Sequence, residues 1–342
     1  MPDVLQLHQS ALAPSVGTIK QLSPATKKWQ QQNLDADIGL RIIPIDDSIS
    51  SMQFPNDGGS MRIVHLFEGF DLCFNQVDSC VLPAVMPSNS HILLVNYCVE
   101  GRCETNLDTG MHLFMEPDHI AIGTQYASGQ FTYPSGHYQG IELFIDLDKV
   151  AAGTSTALST LAVSPADLVE RMSLDDELFI HSVSGSLEAT LRQIWALRSS
   201  TNLDRLRLMA LLLLVEIEQS NKNAEEHSHY LTSVQARLAH DAARIIRNDL
   251  TNKDPIARIA EKLQTSPTSL KDYFKRAYGE NISDYRRRIR MEAAADLLLS
   301  DRGMRVSDVA LNVGYENQSK FAAAFKRRHN MSPLEYRREQ AG

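Results

Sequence analysis

Gln318, Ser319 and Lys320 stand together near the C-terminus, followed by Ala322 and then by Lys326, Arg327 and Arg328. Fifty residues earlier, Thr268, Lys271 and Asp272 precede Lys275 and Arg276 in a similar arrangement. Such side chains can read base edges: Gln pairs bidentately with adenine, Lys meets guanine acceptors, Asp accepts from the cytosine amino group, and an Ala methyl packs on thymine. Ser and Thr hydroxyls suit several bases. Cations just beyond them suit phosphates, which fix position without specifying sequence. The base-reading candidates are therefore Thr268, Lys271, Asp272, Gln318, Ser319, Lys320 and Ala322. Those for phosphate are Ser266, Lys275, Arg276, Arg286, Arg287, Arg288, Arg290, Lys326, Arg327 and Arg328.

These residues can act only if something rigid presents them. Ile256, Ile259, Ala260 and Leu263 recur at helical spacing. Gln264 to Ser266 then make a polar turn, Pro267 sits where a first helical turn tolerates it, and Leu270, Tyr273, Phe274 and Ala277 resume the apolar stripe. The layout recurs with Ser307 as expected N-cap, Val309, Ala310 and Val313 facing inward, Gly314 at the turn, and Phe321, Ala324 and Phe325 in the next helix. A helix from Ser283 to about Ser300 is expected to join the two units.

The run Val306-Ser-Asp-Val-Ala-Leu-Asn-Val-Gly-Tyr315, with Ser319-Lys-Phe321, Phe325-Lys-Arg327 and the closing Ser332-Pro333, resembles the C-terminal signature of the AraC/XylS transcription regulators. The resemblance covers roughly the last hundred residues. It implies that each second helix enters a major groove, the two grooves lying about one turn apart on one face of the duplex. It further implies double-stranded promoter DNA and RNA polymerase as partners. Many members carry a base-reading Arg where this chain has Asp272 in the first unit and Ala323 in the second, so that reading does not transfer.

Charge divides along the chain. The net charge is −8, but from Val234 onward 21 Lys and Arg face 14 Asp and Glu, leaving 13 against 28 in the remainder. A basic reader joined to an acidic body fits this division. With 43% hydrophobic and 22% charged residues the chain has a globular composition. Its longest apolar run, Leu208 to Val215, is too short to cross a bilayer. Neither a membrane role nor a secretory leader is expected, and a cytoplasmic location is.

From Arg62 to Leu147 short apolar runs such as Ile92 to Val99 and Ile141 to Ile145 are punctuated by Gly101, Gly110, Pro117, Gly129 and Gly136, which predicts antiparallel strands in a small barrel or sandwich. Helices are expected over Leu187 to Arg198 and Thr201 to Gln219, with Thr201 and Asp204 at capping-box spacing. The second is apolar around much of its circumference and must be covered by its own barrel, by a second copy, or by both. The expected fold is α+β: residues 1–219 a β-rich sensing and dimerisation domain, 220–232 a linker, and 233–342 an all-α domain with two helix-turn-helix motifs.

Asn96-Tyr-Cys-Val-Glu-Gly-Arg-Cys103 and Tyr133-Pro-Ser-Gly-His-Tyr-Gln-Gly-Ile-Glu142 are similar to a subset of the family with a cupin-like barrel. That resemblance implies a small-molecule or peptide effector and a homodimer. Tyr97, Arg102, Tyr126, Tyr133 and Tyr138 are the candidate polar handles of its pocket. Barrels of this type can also hold a catalytic metal, and His112, His119, His137 and Glu142 are the available ligands. The clustered His-x-His pattern is absent, so neither a metal nor another cofactor is expected. A metal-dependent or small-molecule-binding enzyme with a DNA-binding appendage is the alternative reading. Cys73, Cys80, Cys98 and Cys103 lack paired zinc spacing and are expected to be reduced and buried.

Overall fold

The computed structural model describes residues 40–83, 91–107, 110–124, 130–151, 164–172, 174, 178–220 and 230–339. The chain divides into two compact units, Met1–Tyr230 and Leu231–Gly342. Of the expected linker, residues 221–229 lie outside the described residues.

The first unit is built on twelve described strands: β1 (Arg41–Pro44), β2 (Ile49–Gln53), β3 (Gly59–Phe67), β4 (Phe70–Val77), β5 (Val81–Pro83), β6 (Ile92–Gly101), β7 (Cys103–Asn106), β8 (Met111–Met115), β9 (His119–Gly123), β10 (Gln130–Thr132), β11 (Tyr138–Asp146) and β12 (Phe179–Ser182). One sheet runs β1-β2-β3-β4-β11-β6-β9-β12 and a second contains β8-β7-β10-β5. Ladders such as β4–β11 and β6–β11 are antiparallel, as the alternating sequence predicts. Among the described residues the strands form two open sheets, with no ring closed by hydrogen bonds.

Side chains alternate across a strand, so the large sheet has two different faces. Leu72, Phe74, Ile141, Leu143, Val95 and Ile120 share one face and a single core. That core also holds Leu187 and Leu191 of α3 (Gly185–Ala196) and Leu206, Leu213, Leu214 and Ile217 of α4 (Leu203–Gln219). The shorter α1 (Leu147–Ala151) and α2 (Pro165–Met172) add Leu147, Leu168 and Val169. The α4 helix starts later than expected. Asn202 caps it by accepting from Arg205 N at 3.0 Å, because Asn202 and not Thr201 stands three residues ahead of that amide.

The opposite face is more polar. Gly140 pairs in register with Asn75, and Glu142 with both Cys73 and Asn96. Tyr138 arches over side-chain-free Gly140 and donates to Asn96 Oδ1 at 2.8 Å; a Cβ at 140 would lie 2.4 Å from its hydroxyl. Burial pushes the Glu142 carboxyl above its ordinary 4.5, opposed by a hydrogen bond from Asn75.

At the start of the second unit β13, which begins one residue earlier (Tyr230–Thr232), leads into α5 (Ser233–Asn248), closed by a capping box between Thr232 and Gln235. There follow α6 (Ile256–Lys262), α7 (Pro267–Tyr278), α8 (Ile282–Ser300), α9 (Val306–Asn312), α10 (Gln318–His329) and α11 (Pro333–Glu339). Phe274 stacks on Tyr278 at 4.5 Å and meets Tyr285 edge-on at 5.1 Å in the first half. In the second half Phe321 and Phe325 join Met291, Ala294, Leu298, Val309 and Val313.

Two stability outcomes follow. Phe325→Ala, at a fully buried position against Tyr336, is expected to cost about 3–5 kcal/mol in urea denaturation. For Glu142 the raised folded pKa means that the protonated form is favoured by folding. Its contribution is therefore present at low pH and is lost as pH rises from 4.5 through the folded value. The stability of Glu142→Gln relative to the native chain should accordingly rise as pH increases above 4.5. A pH-independent difference would contradict this.

Candidate nucleic-acid interface

The second unit repeats one local design. α6 and α9 are each 7 residues, and α7 and α10 each 12. In both turns the second residue after the first helix is left-handed, Gln264 at φ 54° and Gly314 at φ 80°. The next amide returns to the first helix in both, Thr265 N to Ala260 O at 3.0 Å and Tyr315 N to Ala310 O at 2.8 Å. Both second helices open on a side-chain cap. Ser266 accepts from Ser269 N at 3.0 Å, and Asn317 from Lys320 N at 2.9 Å. The Ser266 hydroxyl also donates to Ser269 Oγ at 2.9 Å, so it serves the helix end. Ser307, expected as the cap of α9, lies inside that helix; the cap position is Arg305, which makes no side-chain bond there.

Buried aromatics decide which residues face out. On α7, Leu270 and Phe274 point inward and Thr268, Lys271, Asp272 and Lys275 are exposed. Arg276 is half-buried, with Nη1 3.6 Å from Asp272 Oδ2 one turn back, so the one acid on this helix already has a cation. On α10, Gln318, Ser319, Lys320, Lys326, Arg327 and Arg328 are exposed. Ala323 is exposed and Ala322 half-buried, because a residue two places from each of Phe321 and Phe325 lies across the helix from that stripe.

The arginines of α8 read as one basic stripe in sequence, but the helix distributes them over different faces. Arg287 is exposed beside Asp284 at 3.1 Å. Arg286 Nη2 donates to Asp254 O at 2.9 Å. Arg288 lies 5.0 Å from the Tyr285 ring centroid, between Glu280 at 2.8 Å and Glu292 at 3.1 Å. Burial works against its charge, and those two carboxylates outweigh burial and hold its pKa above the ordinary value. Arg290 donates to Leu250 O at 2.7 Å and Asn252 O at 2.9 Å, and burial lowers its pKa. Arg286, Arg288 and Arg290 therefore already hold protein groups, and Arg328 lies 3.3 Å from Glu292.

The tyrosines singled out in the first unit do not converge. Tyr97 belongs to the helix-covered core and donates to Asp118 Oδ1 at 2.9 Å. Tyr133 and Tyr138 are buried together in the other apolar cluster, their ring centroids 5.5 Å apart. Arg102 is ion-paired with Glu116. Tyr126 lies outside the described residues. The histidines are also dispersed: His112 is 2.6 Å from Glu104, His137 is 3.3 Å from Glu100, and His119 Nδ1 is 3.0 Å from Pro117 O. No group of three or more His, Cys, Asp or Glu suited to a metal occurs among the described residues. Cys73, Cys98 and Cys103 are free and buried; Cys80, expected to be buried, is exposed next to β5. Asn75 is invisible in the sequence, because a lone Asn in an apolar strand has no spacing signal of its own.

Residues 259–339 match a family model described as a helix-turn-helix domain. The chain is 33% identical over 128 residues to the HTH-type transcriptional activator RhaR of Yersinia pseudotuberculosis, covering 37% of this chain and 43% of that protein. It is 33% identical over 102 residues to the uncharacterized transcriptional regulatory protein YesN of Bacillus subtilis, covering 29% of this chain and 28% of the relative. The chain thus spans less than half the length of these curated relatives. A solved DNA-binding transcriptional dual regulator from Escherichia coli K-12 is similar at 28% identity over 30% of this chain and 92% of its own, with a TM-score of 0.29. ToxT of Vibrio cholerae is aligned over 79% of this chain and 98% of its own at 14% identity and a TM-score of 0.28. The repeated helix pairs and the matched residues together identify the C-terminal unit as a helix-turn-helix domain.

Proposed function

We propose that this protein is an effector-responsive, sequence-specific transcription regulator that reads two adjacent major grooves with α7 and α10. The observation that carries the reading is the pair of 12-residue helices, each held by inward aromatics and opening on exposed polar side chains. Gln318, Ser319 and Lys320 are the base readers of the second helix, with exposed Ala323 and not half-buried Ala322 beside them. Thr268 and Lys271 act in the first, where Asp272 is balanced by Arg276. Lys275, Lys326 and Arg327 meet phosphates, with Arg287 and Arg328 at the edges.

The first unit is the sensor, a cupin-like sandwich whose effector meets the polar sheet face. Asn75, 4% exposed, has no hydrogen-bond partner for Oδ1 among the described residues and sits in register beside Gly140. Glu142, Asn96, Tyr133 and Tyr138 share that side. An effector preferring one arrangement of the protein shifts promoter occupancy or polymerase contact in the cytoplasm. The protein acts as a homodimer through α4: Leu208 and Leu212, one turn apart, are 68% and 41% exposed on a helix whose other side is buried.

Replacing Gln318 and Lys320 with Ala should weaken binding to a selected cognate duplex by about 1–3 kcal/mol per bidentate contact in fluorescence anisotropy and relax preference at the bases they meet. Lys326→Ala should instead weaken all sequences alike and lower the salt slope by about 1. Unchanged affinity and preference in the first pair would remove those assignments. In sedimentation at micromolar protein, the native chain should run as a dimer and a Leu208→Glu, Leu212→Glu variant as a monomer; a monomeric native chain would defeat the dimer.

A further inference from the structure

The segment between α5 and α6, Asp249 to Pro255, belongs by sequence to the first helix-turn-helix, yet it is fastened to the second. Leu250 packs its side chain on the core formed by α8, α9 and α10. The Leu250 carbonyl accepts from Arg290 Nε at 2.7 Å, and the Asn252 carbonyl from Nη2 of the same guanidinium at 2.9 Å. The Arg290 guanidinium in turn lies 6.0 Å from the Tyr315 ring centroid, in the turn of the second motif. Lys253 and Glu316 are ion-paired across the same joint.

Gly314 completes it. A Cβ there would stand 2.6 Å from Leu250 O and 3.0 Å from Arg290 Nη2. Its counterpart in the first turn, Gln264, is left-handed as well but carries an exposed side chain. Left-handed φ therefore does not by itself exclude a side chain from this turn, and the passing Leu250 carbonyl is what does. Two backbone acceptors, a fork with matched donors and a glycine without bulk meet at one point between the two readers.

We propose that Arg290, seated against Gly314, is the positioning residue that fixes the offset between α7 and α10 and so restricts the protein to one spacing of its two DNA segments. The proposal rests on the two-groove reading of the C-terminal unit. Both readers bind at once only where the DNA spacing matches their fixed offset, and one inserted base pair moves the second segment by about 3.4 Å and turns it by about 35°. A rigid joint cannot follow that movement, whereas a loosened one can.

The test uses the full chain and a duplex that the native protein selects from a random pool, with derivatives carrying one base pair more between the two protected segments. For the native protein the insertion should weaken binding at least about tenfold, the loss of simultaneous engagement. In Arg290→Ala and in Gly314→Ala, which attack the joint from opposite sides, affinity for the selected duplex should fall while the insertion penalty shrinks to about threefold or less. A merely structural role would weaken both duplexes equally and leave their ratio unmoved; that result overturns the proposal. If circular dichroism shows Arg290→Ala unfolded, Arg290→Lys, which lacks the fork for two carbonyls, makes the same comparison. Failure of the native protein to select any sequence removes the two-groove reading itself, whereas an undiminished penalty in folded variants removes only the role of Arg290.

Discussion

Burial of Phe274 and Phe325 is the constraint on which the C-terminal unit turns. Each ring lies in the middle of a 12-residue helix and is fully buried, and each is backed by a partner from another helix, Tyr285 for Phe274 and Tyr336 for Phe325. With the inward direction set, helical geometry assigns every other position. Thr268, Lys271 and Lys275 have nowhere to go but outward, as do Ser319, Ala323 and Lys326. The polar outer face of these helices is thus a consequence of core packing.

The same logic in the first unit separates two jobs between two faces of one sheet. Leu143 and Val95 face α3 and α4, and that side is filled by apolar side chains. On the other side the apolar residues fall into two clusters, one with Tyr133 and Tyr138 and one with Met52, Ile63 and Cys73. In-register Asn75, Gly140, Glu142 and Asn96 belong to neither cluster. A strand holding a buried polar group needs a compensating partner, and the Tyr138–Asn96 and Asn75–Glu142 bonds supply part of it.

Much of the C-terminal design was legible in sequence because it depends on local rules: apolar residues at helical spacing, Pro267 in a first turn, Gly314 at a left-handed position. What the sequence hid was the destination of long side chains. Four arginines between Arg286 and Arg290 look equivalent in a string, yet carbonyls forty residues away claim Arg290 and two glutamates claim Arg288. Caps fall a residue or two from the expected positions: Asn202 and not Thr201 accepts from the first turn of α4, and the cap position of α9 is Arg305, with no side-chain bond, two residues ahead of Ser307. The scatter of Tyr97 away from Tyr133 and Tyr138 was hidden for another reason. Which face a strand residue takes depends on a register that β6 breaks with a bulge opposite Gln139 and Gly140.

The two helices proposed as readers are unequal in charge, and this bears on how they would work together. α10 has no acidic residue and exposes Lys320, Lys326, Arg327 and Arg328. α7 sets Asp272 against Lys271, Lys275 and Arg276, and the Asp272–Arg276 pair reduces what remains for phosphate. Phosphate attraction is additive over cations and supplies much of the affinity, so on the proposed two-groove reading α10 would gain more from an encounter with the duplex than α7. A weaker reader gains most when a stronger one delivers it already oriented, because the entropy of placing it has then been met by the first contact. That delivery requires a stiff path from α10 back to α7. The segment running from Leu250 to Asp254, held by Arg290 and Arg286, lies on that path, so under the proposed reading loosening it would cost α7 more than α10.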